Sequence, residues 1–491
     1  MSKAITWILV TVFALALAAL GFLLAANWQD EPLSEASRRT QVYVAPIGNQ
    51  LLGNGHVLLM GLDAPPPEKA RADAVEPARQ LGLKILQREQ ERWKWNARHG
   101  SLDADAAPKL LDPGNAAITA AQILAEDLRC APEQSDCIAW AVQHRKQLAA
   151  ADPARRAVLA RLAAIANAPQ YANVFPIHHA AQVPPVAVLR AGAELQLMQA
   201  ALLWNDKAYD KALDQLELTE RMRQRIAQSN NLVASVFATS SLNHGIVKWI
   251  SNVITRDGKR LRPQDAERLQ KILEAPRISL RNGMYGEMVS SASVIQSLGI
   301  ALKLPPVQAK ESTADAKAAD SRTESVLHTR RFINERLFLP HQSTNIATQG
   351  WQLTMDLADL PPNELQAAQE AAADKRKALI DARPRWLGAR NIIGARLFDQ
   401  PTESADYVQY IRRGIDVDGF RRLALLQLLA AQQRVADDGM PAWLAASPAA
   451  LRNPYDGQPM PWDSASRSLS FEGSVEQPQN PGRSKTYRVN F

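Results

Sequence analysis

The chain has 491 residues, with 57 Lys or Arg against 50 Asp or Glu, a formal charge of +7 and 46% hydrophobic residues. Acidic and basic residues are interleaved along most of it, which argues against the concentrated basic face of a dedicated nucleic-acid binder. The length suits two or three domains. A composition rich in Ala, Leu, Gln and Arg, and poor in the alternation of strands, predicts a mainly α fold.

Residues 4–26 read AITWILVTVFALALAALGFLLAA and carry no charge. At about 1.5 Å per residue such a helix spans roughly 35 Å, enough to cross a hydrocarbon core of about 30 Å. A removable signal has a shorter apolar core followed by a small-x-small site. Here Leu24 stands where a small residue is needed, and Trp28 suits a headgroup-level anchor. An uncleaved membrane anchor over residues 1–28 is therefore expected. Lys3 is the only charge ahead of the segment, while Asp30, Glu31 and Glu35 follow it before Arg38 and Arg39. That bias keeps the N-terminus in the cytoplasm and exports the remainder, giving a single-pass inner-membrane protein with its body in the periplasm.

Residues 29–67 are irregular and read as a stalk and entry loop. Two apolar runs, Val42–Val44 and His56–Leu62, have the length of short strands, and Pro65, Pro66 and Pro67 close the segment. A helical domain is expected over residues 68–302. It opens with a long helix from Glu68 to Arg98, for which Pro77 marks a kink or the true start, and continues through Ala116–Leu128, Ile138–Ala150 and Ala154–Ala168. Cys130 and Cys137 bracket a short polar loop with no other cysteine to compete for either, so an oxidising compartment would pair them. That disulfide would clamp the turn between two antiparallel helices and add about 2 to 3 kcal/mol in the chain-entropy model. Two reduced thiols in a cytosolic protein are the alternative.

From Val186 to Ile254 the pattern is that of a helical hairpin followed by a central helix, with Leu195, Met198 and Leu202 on one stripe and Tyr209, Leu213 and Leu216 on the next. The stretch LLWNDKAYDKALDQLELTERM resembles the second half of a tetratricopeptide unit, with Tyr209, Ala212, Leu213 and Leu216 at its packing positions. Gln196 and Gln199 replace the Trp and Leu of the first helix, and no copy follows 34 residues on. The resemblance thus implies hairpin geometry without a repeat groove. Helices are expected at Leu232–Ile254, Pro263–Leu273 and Leu280–Leu302. Residues 303–325 are too polar to bury surface and read as a flexible linker or insertion. A second helical part, 326–450, follows, with helices at Val326–Leu339, Asn345–Leu357, Asn363–Ala382, Trp386–Phe398 and Asp418–Val435. In the tail, 451–491, the alternation around Leu469 and Phe471 and the final residues Thr486–Phe491 predict a small β-hairpin.

The motifs of known chemistry are missing: no GxSxG, no SxxK, no HExxH, no phosphate loop, no dinucleotide fingerprint and no haem or calcium signature. No cofactor and no metal site is expected. His178 and His179 are adjacent, diverge on any regular backbone, and have no carboxylate within Ile177–Pro185, so a structural role in a loop is expected. His244 falls in the apolar central helix as a core histidine. One basic run rises above background: Lys375, Arg376, Lys377, Arg383, Arg385, Arg390 and Arg396, opposed only by Asp381 and accompanied by Trp386. It reads either as a solvated helix face or as a surface for anionic lipid, cell-wall carboxylates or an acidic partner.

An N-terminal anchor, a paired-cysteine turn, the helix NNLVASVFATSSLNHGIVKWI and the tail NPYDGQPMPWD together resemble uncharacterised membrane-anchored envelope proteins of Gram-negative bacteria. The resemblance implies a helical fold and an exported location, and no activity. The expected function is a non-catalytic interaction or assembly factor of the envelope, with a protein partner. The alternative is a periplasmic hydrolase acting on glycan or peptide through dispersed acids. A cleft lined by two carboxylates with raised pKa would favour the alternative, and a shallow apolar or basic groove the first reading.

Overall fold

A computed structural model of the chain describes residues 2–67, 73–100, 108–111, 114, 116–130, 136–150, 152–302, 336–381, 390–394, 404–477 and 480–491. The first helix, α1 (Ser2–Ala26), is apolar and exposed over most of its length, long enough to cross a membrane as an anchor or a signal sequence does. The chain then enters the body directly. Asn27 is buried, and α2 (Glu35–Arg39) follows within a few residues, capped by the Ser34 hydroxyl accepting from Ser37 N.

The run His56–Leu62 is not a strand. It forms α3 (Gly55–Met60), capped by Asn54 Oδ1 accepting from His56 N, with every residue buried. The reason lies in its glycines. α3 crosses α4 (Glu76–His99) so closely that a Cβ on Gly61 would lie 2.0 Å from Ala78 O, and one on Gly82 2.0 Å from Val57 O. Pro77 stands in the first turn of α4, and Gly100 ends the helix at φ +55°, against Ile300. The expected helix over 116–128 is reduced to one turn, Ala120–Ile123, and a 3₁₀ turn, Glu126–Leu128. Ile123, Leu124 and Leu128 are all buried, and Leu124 adopts an extended conformation, so consecutive apolar side chains plug the core where one helix face could not.

Next come α5 (Cys137–Gln143) and α6 (Pro153–Ala166), the latter capped by Asp152 Oδ1 accepting from Ala154 N and Arg155 N. The hairpin of α7 (Val186–Asn205) and α8 (Tyr209–Ala227) turns at Lys207, which has φ +60°. α7 is less apolar than α1 but is also long and apolar enough to cross a membrane, and it is largely buried, as a core helix is. The central helix α9 (232–257) contains a π segment, Phe237–Leu242, between its α-helical ends. α10 (Pro263–Leu273) and α11 (Arg281–Ala301) complete the part before residue 303. The expected linker 303–325 and the helix at Val326–Leu339 lie outside the described residues, except for the last few of that helix.

Beyond them, α12 (Pro340–Leu357), α13 (Leu365–Asp381) and α14 (Ser404–Gln433) are helical, and α15 (Met440–Ala445) is short. α14 starts well before Asp418, where its apolar stripe first becomes obvious. The tail is a three-stranded antiparallel sheet, β1 (Trp462–Asp463), β2 (Ser468–Gln477) and β3 (Asn480–Asn490), with Leu469 opposite Val489 and Phe471 opposite Tyr487. The expected hairpin is present, and β1 extends it.

One apolar cluster holds α6–α10, α14 and the sheet together, so helices from both sides of residue 303 share a core. The sheet rests on α14 at Gly419, where a Cβ would meet the Phe471 ring at 2.5 Å. A second cluster joins α11, α12, α13 and the start of α14 through Met284, Met288, Met355, Leu365 and Ile411. A third joins α3 and α4 to Val174 and Phe175.

Candidate functional site

An open cleft of about 380 Å³ lies between the strap 39–44, α4, the loop 173–177 and α11. That volume lies within the range of small-ligand sites, roughly 300 to 1,000 Å³. Tyr43 and Trp93 form one wall, with ring centroids 5.5 Å apart. The Tyr43 hydroxyl donates to Val174 O at 3.0 Å and accepts from Gln90 Nε2 at 2.9 Å, so its ring is a fixed platform. Phe175 and Ile177 belong to the loop side, and Tyr285 and Val289 of α11 stand opposite. Three asparagines meet at the α8–α9 turn: Asn173 Oδ1 accepts from Asn230 N, while Asn173 Nδ2 and Asn282 Nδ2 donate to Gln228 O. Among the described lining residues Arg39 is the one that is charged, and it pairs with Glu35 one turn back. No Asp or Glu is among the described residues that line the cleft.

His178 turns inward from the same loop. Its Nε2 lies 2.8 Å from Glu89 Oε2, Arg92 Nη1 donates to Glu89 Oε1 at 3.1 Å, and Asn96 Nδ2 donates to His178 Nδ1 at 3.4 Å. The carboxylate missing from the local sequence therefore comes from α4, whose spacing of three and seven residues puts Glu89, Arg92 and Asn96 on one buried face. His179 points elsewhere: its Nδ1 lies 3.0 Å from Ser293 Oγ, and burial lowers its pKa, helped by His178 and Arg92. A Ser–His contact is the geometry of an activated nucleophile. Ser293, however, also accepts the His179 backbone N–H, no described carboxylate holds the His179 ring, and neither residue lines the cleft. Among the described residues, no group of three His, Cys, Asp or Glu converges as a metal site would require.

The basic run is divided. Lys375 and Lys377 are exposed on α13, while Arg376 turns inward and donates to Gly350 O and Thr354 Oγ1 of α12. Arg390 donates to Gln29 O at 3.1 Å, beside the exit of α1. Arg383, Arg385, Trp386 and Arg396 lie outside the described residues. Cys130 and Cys137 are disulfide-bonded. The bond ties the end of the 3₁₀ turn to the start of α5, whose Cys137 N donates to Asn252 Oδ1, and does not clamp two antiparallel helices as the sequence predicted. His244 is a core histidine stacked on Phe420 at 5.0 Å.

Sequence reasoning missed the collar around the exit of α1. Asn27 Oδ1 accepts from Asn391 N at 2.6 Å, and Asn391 Oδ1 accepts from Leu339 N. Asp30 accepts from His341 N and Gln342 N in the first turn of α12, where a carboxylate also suits the helix dipole. Asn345 Nδ2 donates to Glu31 Oε1 and Pro32 O, and its Oδ1 accepts from Ser34 N. The first residues of the segment read as a stalk, from Gln29 to Ser34, are thus tied to α12 and Arg390 and lead through α2 into the strap that walls the cleft.

Comparison with family models, with curated proteins and with solved structures returns no match. The envelope-protein and tetratricopeptide resemblances therefore rest on the residues quoted for them alone. What stands beside them is a mainly helical chain with an apolar N-terminal helix and a small C-terminal sheet.

Proposed function

We propose that the chain is a membrane-anchored, exported and non-catalytic binding protein of the cell envelope, acting as an interaction or assembly factor through the cleft beside its tether. The observation that carries the reading is the cleft's lining: fixed aromatic faces and amides, with no described carboxylate. Acid catalysis on glycan would need two carboxylates facing one another across such a cleft. Retention of the anchor is supported at the exit of α1, where Leu23 and Leu24 are partly covered and Asn27 Nδ2 donates to Leu23 O at 2.8 Å. Trp28 stays 64% exposed, with the Arg336 guanidinium 4.6 Å over its ring, a pairing suited to the headgroup layer. The exposed Lys375 and Lys377 offer a secondary contact for anionic lipid or cell-wall carboxylates.

The test is a photoreactive residue in place of Tyr285 in the full-length chain, irradiated in intact cells. One predominant protein adduct, lost when Trp93→Ala is added, is the expected outcome. Adducts confined to bulk lipid and abundant neighbours would overturn the reading.

A further inference from the structure

A small cavity lies where α8, α9 at its π segment, the loop between α10 and α11, and α14 meet. It leaves about 10 Å³ of room, enough for one water-sized species and too little for phosphate, sulfate or an organic acid. Its charge is lopsided. Arg223, Arg277 and Arg421 line it, with Asp418 the one acid among the described lining residues. Asp418 already pairs with Arg422 at 2.9 Å, and Glu220 is shared, 2.7 Å from Arg223 and 3.3 Å from Arg421. Asp359, which also acts on Arg277 through its charge, pairs with Arg281 at 3.0 Å. Arg277 has no ion pair among the described residues, and its Nη2 donates to Leu360 O at 3.0 Å. The guanidinium groups of Arg223, Arg277, Arg421 and Arg422 thus stand against the carboxylates of Glu220 and Asp418 alone. Two polar atoms are also unmet: Arg421 and Asn243 are more than nine-tenths buried, yet Arg421 Nε and Asn243 Oδ1 have no hydrogen-bond partner.

We infer that this cavity binds one small monovalent anion, a halide such as chloride, between Arg277, Arg421 and the Asn243 amide. The argument is one of charge first. A buried cation without a matching anion is costly, and burial lowers the pKa of both Arg277 and Arg421, with Arg223 opposing the pull of Glu220 on Arg421. A water molecule would fit, but it would leave the surplus positive charge in place. A halide removes part of it, loses its hydration at far less cost than a divalent anion, and meets a guanidinium that is itself weakly hydrated. The Asn243 amide, unengaged at its oxygen, presents its N–H groups instead when it turns by half a rotation. The backbone setting agrees: π segments within α-helices occur frequently at functional sites, and here Thr239 of the lining lies within one and Asn243 directly follows it. A bound ion would tie α9 to α14 and to the loop that carries Arg277.

The experiment follows thermal unfolding of the full chain in lipid nanodiscs while sodium gluconate is replaced by sodium chloride or sodium bromide at constant ionic strength. Gluconate is too large for the cavity. The midpoint should rise saturably with either halide. Arg277→Gln, which keeps a polar side chain and removes the charge, should abolish the rise, and Asn243→Ala should weaken the apparent affinity roughly tenfold. A midpoint that does not distinguish chloride from gluconate would overturn the site and leave water as its occupant. A rise of the same size and affinity in both variants would also overturn it, because the ion would then bind elsewhere. Should Arg277→Gln fail to fold, crystals of the parent protein grown in bromide decide: an anomalous peak between Arg277 and Asn243 is expected, and its absence there would overturn the assignment.

Discussion

Arg161 is fully buried, and its guanidinium donates to four carbonyls, those of Leu62, Ala64, Pro65 and Ala74. It gathers the irregular segment after α3 against α6. Burial lowers its pKa to about 10, partly offset by Asp63. A lysine carries the same charge but lacks the planar fork that reaches four acceptors. Arg161→Lys should therefore destabilise the protein by about 2 to 4 kcal/mol, since buried acceptors are left unmet; chemical denaturation measures it, and a loss within error would contradict the clamp. Nothing in the local sequence marks Arg161, because its partners are backbone atoms about a hundred residues upstream. The same holds for Glu89 and His178: each was visible as a residue, and only the fold makes them a pair.

Two buried histidines give the protein an acid limit. Burial holds His56 down to about 4, between the Tyr171 and Phe175 rings, and His244 down to about 3, with Lys485 and Lys248 adding repulsion. In the unfolded chain each takes up its proton near pH 6.5. The unfolded state therefore binds more protons over the window from about 6.5 down to 4, so stability is full above that window and is lost as the pH falls through it. Denaturation midpoints at pH 7 and pH 5 should differ accordingly, and His56→Gln should shrink the difference. A raised pKa at buried Asp416 acts in the opposite direction, because there the folded state takes up the extra proton. A flat profile that also fails to respond to His56→Gln would contradict the lowered histidine pKa values.

Among the elements, the long helices were legible. Apolar periodicity, an Asp–Pro start at α6 and a proline at the head of α10 describe local chemistry that the fold keeps. What failed was burial on more than one face. α3 looks like a strand because Val57 to Met60 is a short unbroken apolar run, and it packs as a helix because Gly61 at its end and Gly82 of α4 let the two helices lie close together. The stretch 116–128 looks helical by composition and is broken because Ile123 and Leu124 are both needed in the core. The π segment of α9 leaves no mark at all in its Ser- and Thr-rich residues. Pairing of the cysteines was legible by elimination, its helical setting was not. Thiol labelling of the unreduced protein should be negligible, and reduction should expose two sites and lower stability by about 2 to 3 kcal/mol. Full labelling without reductant would mean that the bond is absent.

For the whole molecule, the consequence is a cleft whose position is tied to the exit of α1. The chain passes from α1 through the collar, where Asn27, Asp30 and Ser34 are hydrogen-bonded to Asn391, Gln342 and Asn345, into α2 and the strap. A partner held against Tyr43 and Trp93 would then sit at a set height above the membrane proposed to hold α1. The cleft was not legible in the sequence, because its walls come from segments separated by more than two hundred residues and brought together only by the fold. Pulsed dipolar spectroscopy gives the most direct test, with spin labels at Phe22→Cys in α1 and Val294→Cys in α11 of the full chain in lipid nanodiscs, the native cysteines being paired. A single narrow distance distribution is expected. A broad or multiple distribution would contradict a body and cleft seated on the tether.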